Sequence, residues 1–320
     1  MSFPNSSITD IIATTIENRS STIADNVTKN NALYSWLKKK GNVKPFSGGR
    51  TIFEEFSFAQ NANAGWYSGY DTLPVAAQDV LSGAEFAIKQ LACPVVISGL
   101  EELQNSGQEA LIDLMESRLA VAEATMANLM SVGAYSDGTG TGGKQLTGLD
   151  LAVPENPATG TYGGIDRATW TFWASQYYDP GSSSASNIQA FMHTLWGKCV
   201  RGADRPDLIL MDPVQWGFFS SSMNALQRFT DTSSADLGFP SMKFMDADVV
   251  LDGGIGGAAT ANRVYMLNTK YFKLRPHSKR NMTSLKQKSA INQDASVTTL
   301  VWAGNLTCSG AQFQGRGLFD

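Results

Sequence analysis

A chain of 320 residues with 42% hydrophobic residues can bury a large core as one or two domains, yet its 17% charged residues fall below the roughly 25% of an average domain. Its net charge of −4 gives no global attraction to nucleic acid or to a membrane surface, and no run of about 18 apolar residues exists to span a bilayer. The N-terminal residues lack the charged and apolar regions of a secretion signal, and Cys93, Cys199 and Cys308 are too scattered for a metal site, so they read as reduced, half-buried thiols.

Residues 1–44 read as a helical arm. Ile8, Ile11, Ile12 and Ile16 share one helical face, with Asp10 in the first turn where the helix dipole favours an anion. A second helix, Asn31 to Lys40, turns Leu33, Trp36 and Leu37 inward and ends on Lys38, Lys39 and Lys40 before Gly41, the left-handed cap. Those lysines close a helix; a nucleic-acid patch is the alternative reading.

Residues 45–100 read as an extended loop. After Gly48-Gly49 a strand carries Phe53, Phe56 and Phe58, a Gly- and Asn-rich tip carries Trp66, Tyr67 and Tyr70, and an extended run from Glu85 to Ile97 returns. Between Phe56 and Ala84 the charged residues are Asp71 and Asp79. A two-stranded ribbon is marginal in water without something to pack against, and exposed apolar patches mark interaction surfaces. The loop is therefore expected to lie on a neighbouring molecule; folding back on its own domain is the alternative.

Residues 101–184 open with the strongest helix, Ser106 to Val132, on which Leu111, Met115, Leu119, Ala122, Met126 and Leu129 form one stripe about 40 Å long. Its charges are lopsided, with Glu109, Asp113, Glu116 and Glu123 against Arg118. The glycine loop that follows, Gly138 to Lys144, lacks the preceding strand and following helix that phosphate binding needs, and Gly253 to Gly257 fails likewise. Beyond it, Pro154 to Gly181 reads as extended and aromatic. Residues 185–268 alternate helix (Asn187 to Val200, Pro213 to Leu226) with strand (Asp207 to Met211, Lys243 to Met245, Asp248 to Leu251, Arg263 to Leu267), an α/β module. Residues 269–320 read as return strands. From Gly253 to Gln293 there is no acid, while Arg263, Lys270, Lys273, Arg275, Lys279, Arg280, Lys286 and Lys288 accumulate. Three readings compete for this strip: contact with nucleic acid, docking on an acidic surface of the same chain or of a neighbour where complementary charge fixes register, or a merely solvated face.

No catalytic constellation converges. His193 sits among Met192, Leu195 and Trp196, His277 lies in a basic segment, and Asp248 and Asp252 bracket an apolar strand rather than form a cation site. No enzyme activity, cofactor or metal is expected.

The order of parts, from ALYSWLKKKG at Ala32 to Gly41, through SGG and the WYSGYDTL tip, to the long helix closed by a glycine turn and LTGL, resembles the major capsid proteins of tailed double-stranded DNA phages. The resemblance implies an α+β tailed-phage major capsid fold: N-terminal arm, extended β-hairpin loop, peripheral domain with spine helix, and α/β axial domain at residues 185–268. It implies a virion shell of hexamers and pentamers enclosing double-stranded DNA, with scaffolding, portal and decoration proteins as further partners and only non-specific DNA contact. An encapsulin-like compartment and an α/β binding protein are the alternatives. Phe53, Phe56, Phe58, Trp66, Tyr67 and Tyr70 would meet a neighbour, and Glu109, Asp113 and Glu116 would pair with Lys273, Arg275, Lys279 and Arg280 between subunits. With 44 residues before the loop, scaffolding would come as a separate protein. Between Gly48 and Lys89 there is no lysine, which argues against the loop crosslink some members form.

Overall fold

The computed structural model describes residues 32–104, 114–223, 241–253, 259–285, 288–289 and 294–319. Helix α1 (Ala32–Lys39) buries Leu33, Trp36 and Leu37, and Gly41 takes a φ of 71° to reverse the chain, as the sequence predicts. Lys39 and Lys40 lie over the Trp36 ring, so part of the lysine run covers an aromatic of its own helix. The isoleucine face at residues 8–16 lies outside the described residues.

Next come β1 (Thr51–Ser57), β2 (Leu81–Ala87) and β3 (Lys89–Ser98). The expected single return strand is in fact two. β2 pairs antiparallel with β1, from Thr51 opposite Ala87 to Ser57 opposite Leu81, while β3 leaves at Ile88 for another sheet. A short helix α2 (Gly99–Gln104) leads to the spine α3 (Leu114–Ala134). Ala122 and Met126 of its stripe are buried, but Leu129 is half exposed beside Val121 and Val132. Leu111 lies outside the described residues.

Irregular chain with two short pairs of residues, β4 (Thr161–Tyr162) and β5 (Ile165–Asp166), precedes β6 (Gln176–Tyr178). Then follow α4 (Ile188–Cys199), β7 (Leu208–Met211) and α5 (Pro213–Ser222). Asp212 caps α5 by accepting from the Val214 and Gln215 amides, with Pro213 in the first turn. Met223 is already extended, so α5 stops short of the expected Leu226. Strands β8 (Ser241–Phe244), β9 (Ala247–Leu251) and β10 (Arg263–Leu267) complete the alternation. The return comprises β11 (Phe272–Pro276), β12 (Thr283–Ser284), β13 (Lys288–Ser289), β14 (Ala295–Cys308) and β15 (Gly315–Leu318).

Two sheets organise these parts. In one, the order is β6-β15-β10-β7-β9-β8, with β7 and β9 parallel and α4 and α5 covering a core of Ile188, Met192, Leu195, Phe219, Val249 and Phe319. In the other, β14 is the trunk: β3 pairs along one edge from Ala295 to Gly304, and β11, β12 and β13 share the opposite edge. A second core joins α1, the spine and this sheet through Trp36, Met126, Phe272 and Trp302.

The turn after the spine is packed backbone on backbone. A Cβ on Gly148 would sit 2.5 Å from the Gly133 and Ser136 carbonyl oxygens and 2.6 Å from the Ser136 nitrogen. No flexible side chain can yield there. Gly148→Ala is expected to cost about 1–3 kcal/mol, the usual range for overpacking, read as a lower midpoint in denaturant unfolding.

Cys199 and Cys308 are buried and Cys93 is half-buried, with none paired. Burial pushes both buried thiols up to about 12, far from the thiolate that reacts. A thiol reagent at neutral pH should therefore modify Cys93 in the folded protein, and all three only in denaturant.

Candidate assembly surface

The loop divides into an anchored root and a bare tip. On β1 the side chains alternate, so Ile52, Glu54 and Phe56 face inward while Phe53, Glu55 and Ser57 face out. Phe56 stacks on Trp173 at 4.7 Å between ring centroids and lies 5.8 Å from Phe172. Phe58 meets Trp170 edge-on at 5.8 Å. Phe53 lies outside, its ring across Gly83 of the paired strand, where a Cβ would fall 2.0 Å from Cζ. Of the loop aromatics expected to meet a neighbour, Phe56 and Phe58 thus already pack within the chain.

Glu54 holds the root down. It is only 5% exposed, and one carboxylate oxygen accepts from the Arg275 guanidinium at 2.9 Å and the Thr307 hydroxyl at 3.1 Å. The other accepts from Lys273 Nζ at 3.0 Å. Lys273 and Arg275 are therefore turned on to an acid of the same chain. The sequence reading missed Glu54, although an acid in phase with Ile52 and Phe56 is the signal for it.

The tip shows the opposite character. Trp66 and Tyr70 are as exposed as in an extended chain, Tyr67 is 68% exposed, and Leu73, Val75 and Leu81 stand out with them. Its order comes from its own chain: the Phe58 amide donates to the Val80 carbonyl at 3.1 Å, Asn63 Nδ2 to the Ala76 carbonyl at 2.6 Å, and the Ser68 amide to Asp71 at 2.8 Å.

Elsewhere the charges of the basic segment are largely used within the chain. Arg263 and Arg316 grip Asp150 at 2.9 Å and 3.3 Å, and both reach Glu155, while Lys270 pairs with Asp204 at 2.9 Å. Lys279 and Arg280 have exposed side chains on the turn after β11. Glu109 and Asp113 lie outside the described residues, as does the side chain of Glu116. Arg118 of the spine pairs with Glu101 at 3.0 Å and tethers it to β3 through the Val96 carbonyl. That guanidinium, with the Ser98 amide, holds the Glu101 carboxyl below its usual range, so the tether contributes at neutral pH and is lost as pH falls through the lowered value.

The residues weighed for chemistry are packed ones. His193 lies edge-on to Phe244 and His277 edge-on to Phe46, with His277 Nδ1 accepting from the Lys279 amide. Asp252 accepts from the buried Tyr135 hydroxyl. Among the described residues no group of His, Cys, Asp or Glu could hold a metal ion, and no helix is long and apolar enough to cross a membrane.

No sequence-family model matches the chain, and no curated protein does. Solved structures do match it over most of its length. It is similar to a chain of the cyanophage A-1(L) capsid asymmetric unit, with a TM-score of 0.73 at 16% identity over 94% of this chain and 96% of that one. It is also similar to the mature capsid of bacteriophage PhiM1, with a TM-score of 0.59 at 10% identity over 95% and 91%. The capsid of an empty GTA particle matches with a TM-score of 0.60 at 12% identity over 94% and 95%. The architecture is mixed α and β and shared along nearly the whole length.

Proposed function

We propose that this chain, which has the tailed-phage capsid fold, is a major capsid protein. It is a structural subunit, not an enzyme, that assembles as hexamers and pentamers into an icosahedral virion shell around double-stranded DNA. The observation that carries this reading is the loop tip: on this fold, Trp66, Tyr67 and Tyr70 stand clear of their own chain while the root is fixed to it. Apolar surface held away from its own core in this way fits a partner that covers it.

In this reading residues 45–88 form the extended loop, the β14 sheet (β3 included) with residues 101–184 the peripheral domain, and residues 185–268 the axial domain that gathers subunits. Strand β15 ties the chain's end into the axial sheet through β10 and β6. The exposed pair Lys279 and Arg280 would meet the acids Glu109, Asp113 and Glu116 of another copy. Scaffolding, portal and decoration proteins and the packaged DNA are the other partners of such a shell.

Electron microscopy of the purified protein across a salt series tests the reading. Capsomers or closed shells are expected, with fewer as salt rises, because exposed charges are screened within about 10 Å at 0.1 M. A monomer under every condition overturns it.

A further inference from the structure

An apolar groove of about 190 Å³ runs between α1 and the second half of the spine. Leu33 and Leu37 of α1 form one wall, Met130 and Ala134 of the spine the other, and Leu274 and Leu306 of the β14 sheet the floor. The floor and the α1 wall are buried, whereas Met130 is half-buried and Ala127 is exposed at the rim, so the groove opens to the surface. From Ala124 to Ala134 the spine carries no charged residue. Nothing along this edge would repel an apolar occupant.

The chain holds a matching stripe of its own. Ile8, Ile11, Ile12 and Ile16 recur at helical spacing, while Asp10 and Glu17 fall on the opposite face. At 1.5 Å per residue such a stripe is about 12 Å long, and the stretch Ala127–Ala134 beside the groove is about 10 Å. The isoleucines belong to residues 1–31, outside the described residues, and that segment leads straight into the groove: α1 begins at Ala32, and Leu33 is already part of the wall. Extended, residues 17–31 would span about 50 Å, so Ile16 can return to the wall that its own chain forms.

We infer that in the unassembled subunit this groove receives the isoleucine stripe, residues 8–16, of its own chain. The tether of residues 17–31 keeps the stripe near its own groove at an effective concentration of about millimolar, far above that of dilute subunits. Contact within the chain is therefore favoured over contact between copies. It covers an apolar segment and an apolar groove that would otherwise join free copies head to tail in chains that do not close. The contact needs one chain only and does not depend on the capsid reading.

Ile12→Cys with Met130→Cys, in a Cys93→Ser background, tests it on the dilute, unassembled subunit. Cys199 and Cys308 are buried and stay out of the exchange. Oxidation should give a monomer band of raised mobility on a non-reducing gel, its yield unchanged on dilution, and peptide mapping should join positions 12 and 130 of one chain. Ile12→Cys with Val132→Cys, whose spine position stands exposed, should give far less of such a band. Covalent dimers in place of the internal bridge, no bridge at all, or equal bridging to position 132 overturn the contact. Independently, Ile11→Ser with Ile12→Ser should uncover the groove and raise the fluorescence of the apolar dye anilinonaphthalene sulfonate severalfold, with circular dichroism unchanged. A dye signal that stays the same, or rises only as the circular dichroism is lost, also overturns the proposal.

Discussion

Replacing Trp66, Tyr67 and Tyr70 together with serine should leave the subunit folded and abolish assembly. The three rings make almost no contact with their own chain, so their removal withdraws little from the monomer's stability. Circular dichroism and the thermal midpoint should stay where they were. In a shell the same rings would be buried, and each large apolar side chain contributes about 1.5–3 kcal/mol on full burial. Three per copy amount to several kcal/mol, and every 1.4 kcal/mol is about tenfold in the concentration at which capsomers form. Sedimentation and electron microscopy should therefore show free subunits at concentrations where the unaltered protein makes shells. If the variant assembles normally, the tip is not an assembly surface.

Glu54→Gln should destabilise the subunit by about 2–3 kcal/mol. Breaking a buried ion pair by removing one partner costs about 3–5 kcal/mol because the remaining charge has no compensation. Here two cations would be left side by side, but their side chains are 26% and 22% exposed, and solvent offsets part of the cost. Glutamine keeps the shape and can still accept from Thr307, so the loss reports charge rather than a void. Chemical denaturation checks it: the midpoint should fall with little change in slope. Lys273→Met should cost less, since Arg275 would still compensate Glu54. Equal losses for the two variants would mean that the carboxylate is not the centre of the cluster.

Much of this arrangement is legible in the residues themselves. The cap at Gly41, the Asp212-Pro213 start of a helix and the apolar run Leu208–Met211 each state their structure locally, because dihedral preference, capping and burial pattern agree. The bare tip is legible because charge is scarce around its aromatics. Three features were not. Strand β14 reads as two pieces, since Ala303-Gly304-Asn305 resembles a turn. Instead Gly304 lets β11 approach so closely that a Cβ would fall 2.5 Å from the Arg275 carbonyl oxygen. Strand β15 shows no apolar alternation of its own, because Gly315 and Gly317 hide its period. Yet Gly315 is small because Cys199 of α4 lies against it, with Sγ 2.4 Å from where a Cβ would stand. Ion pairs such as Glu54 with Lys273 and Arg275 join residues more than two hundred positions apart, and only the closed topology brings them together.

The contrast between a fixed root and a tip held mainly by its own turns has a consequence for error. Settling a segment of chain into one conformation costs about 1–2 kcal/mol per residue in backbone entropy. If the tip takes its final shape only on a neighbour, part of the contact energy is spent there, and each contact is weaker than its apolar area suggests. Weak contacts come apart and re-form. A subunit that joins a growing lattice at the wrong angle can then leave before its neighbours trap it, and permanence comes from the number of contacts in the finished object rather than from the strength of any one.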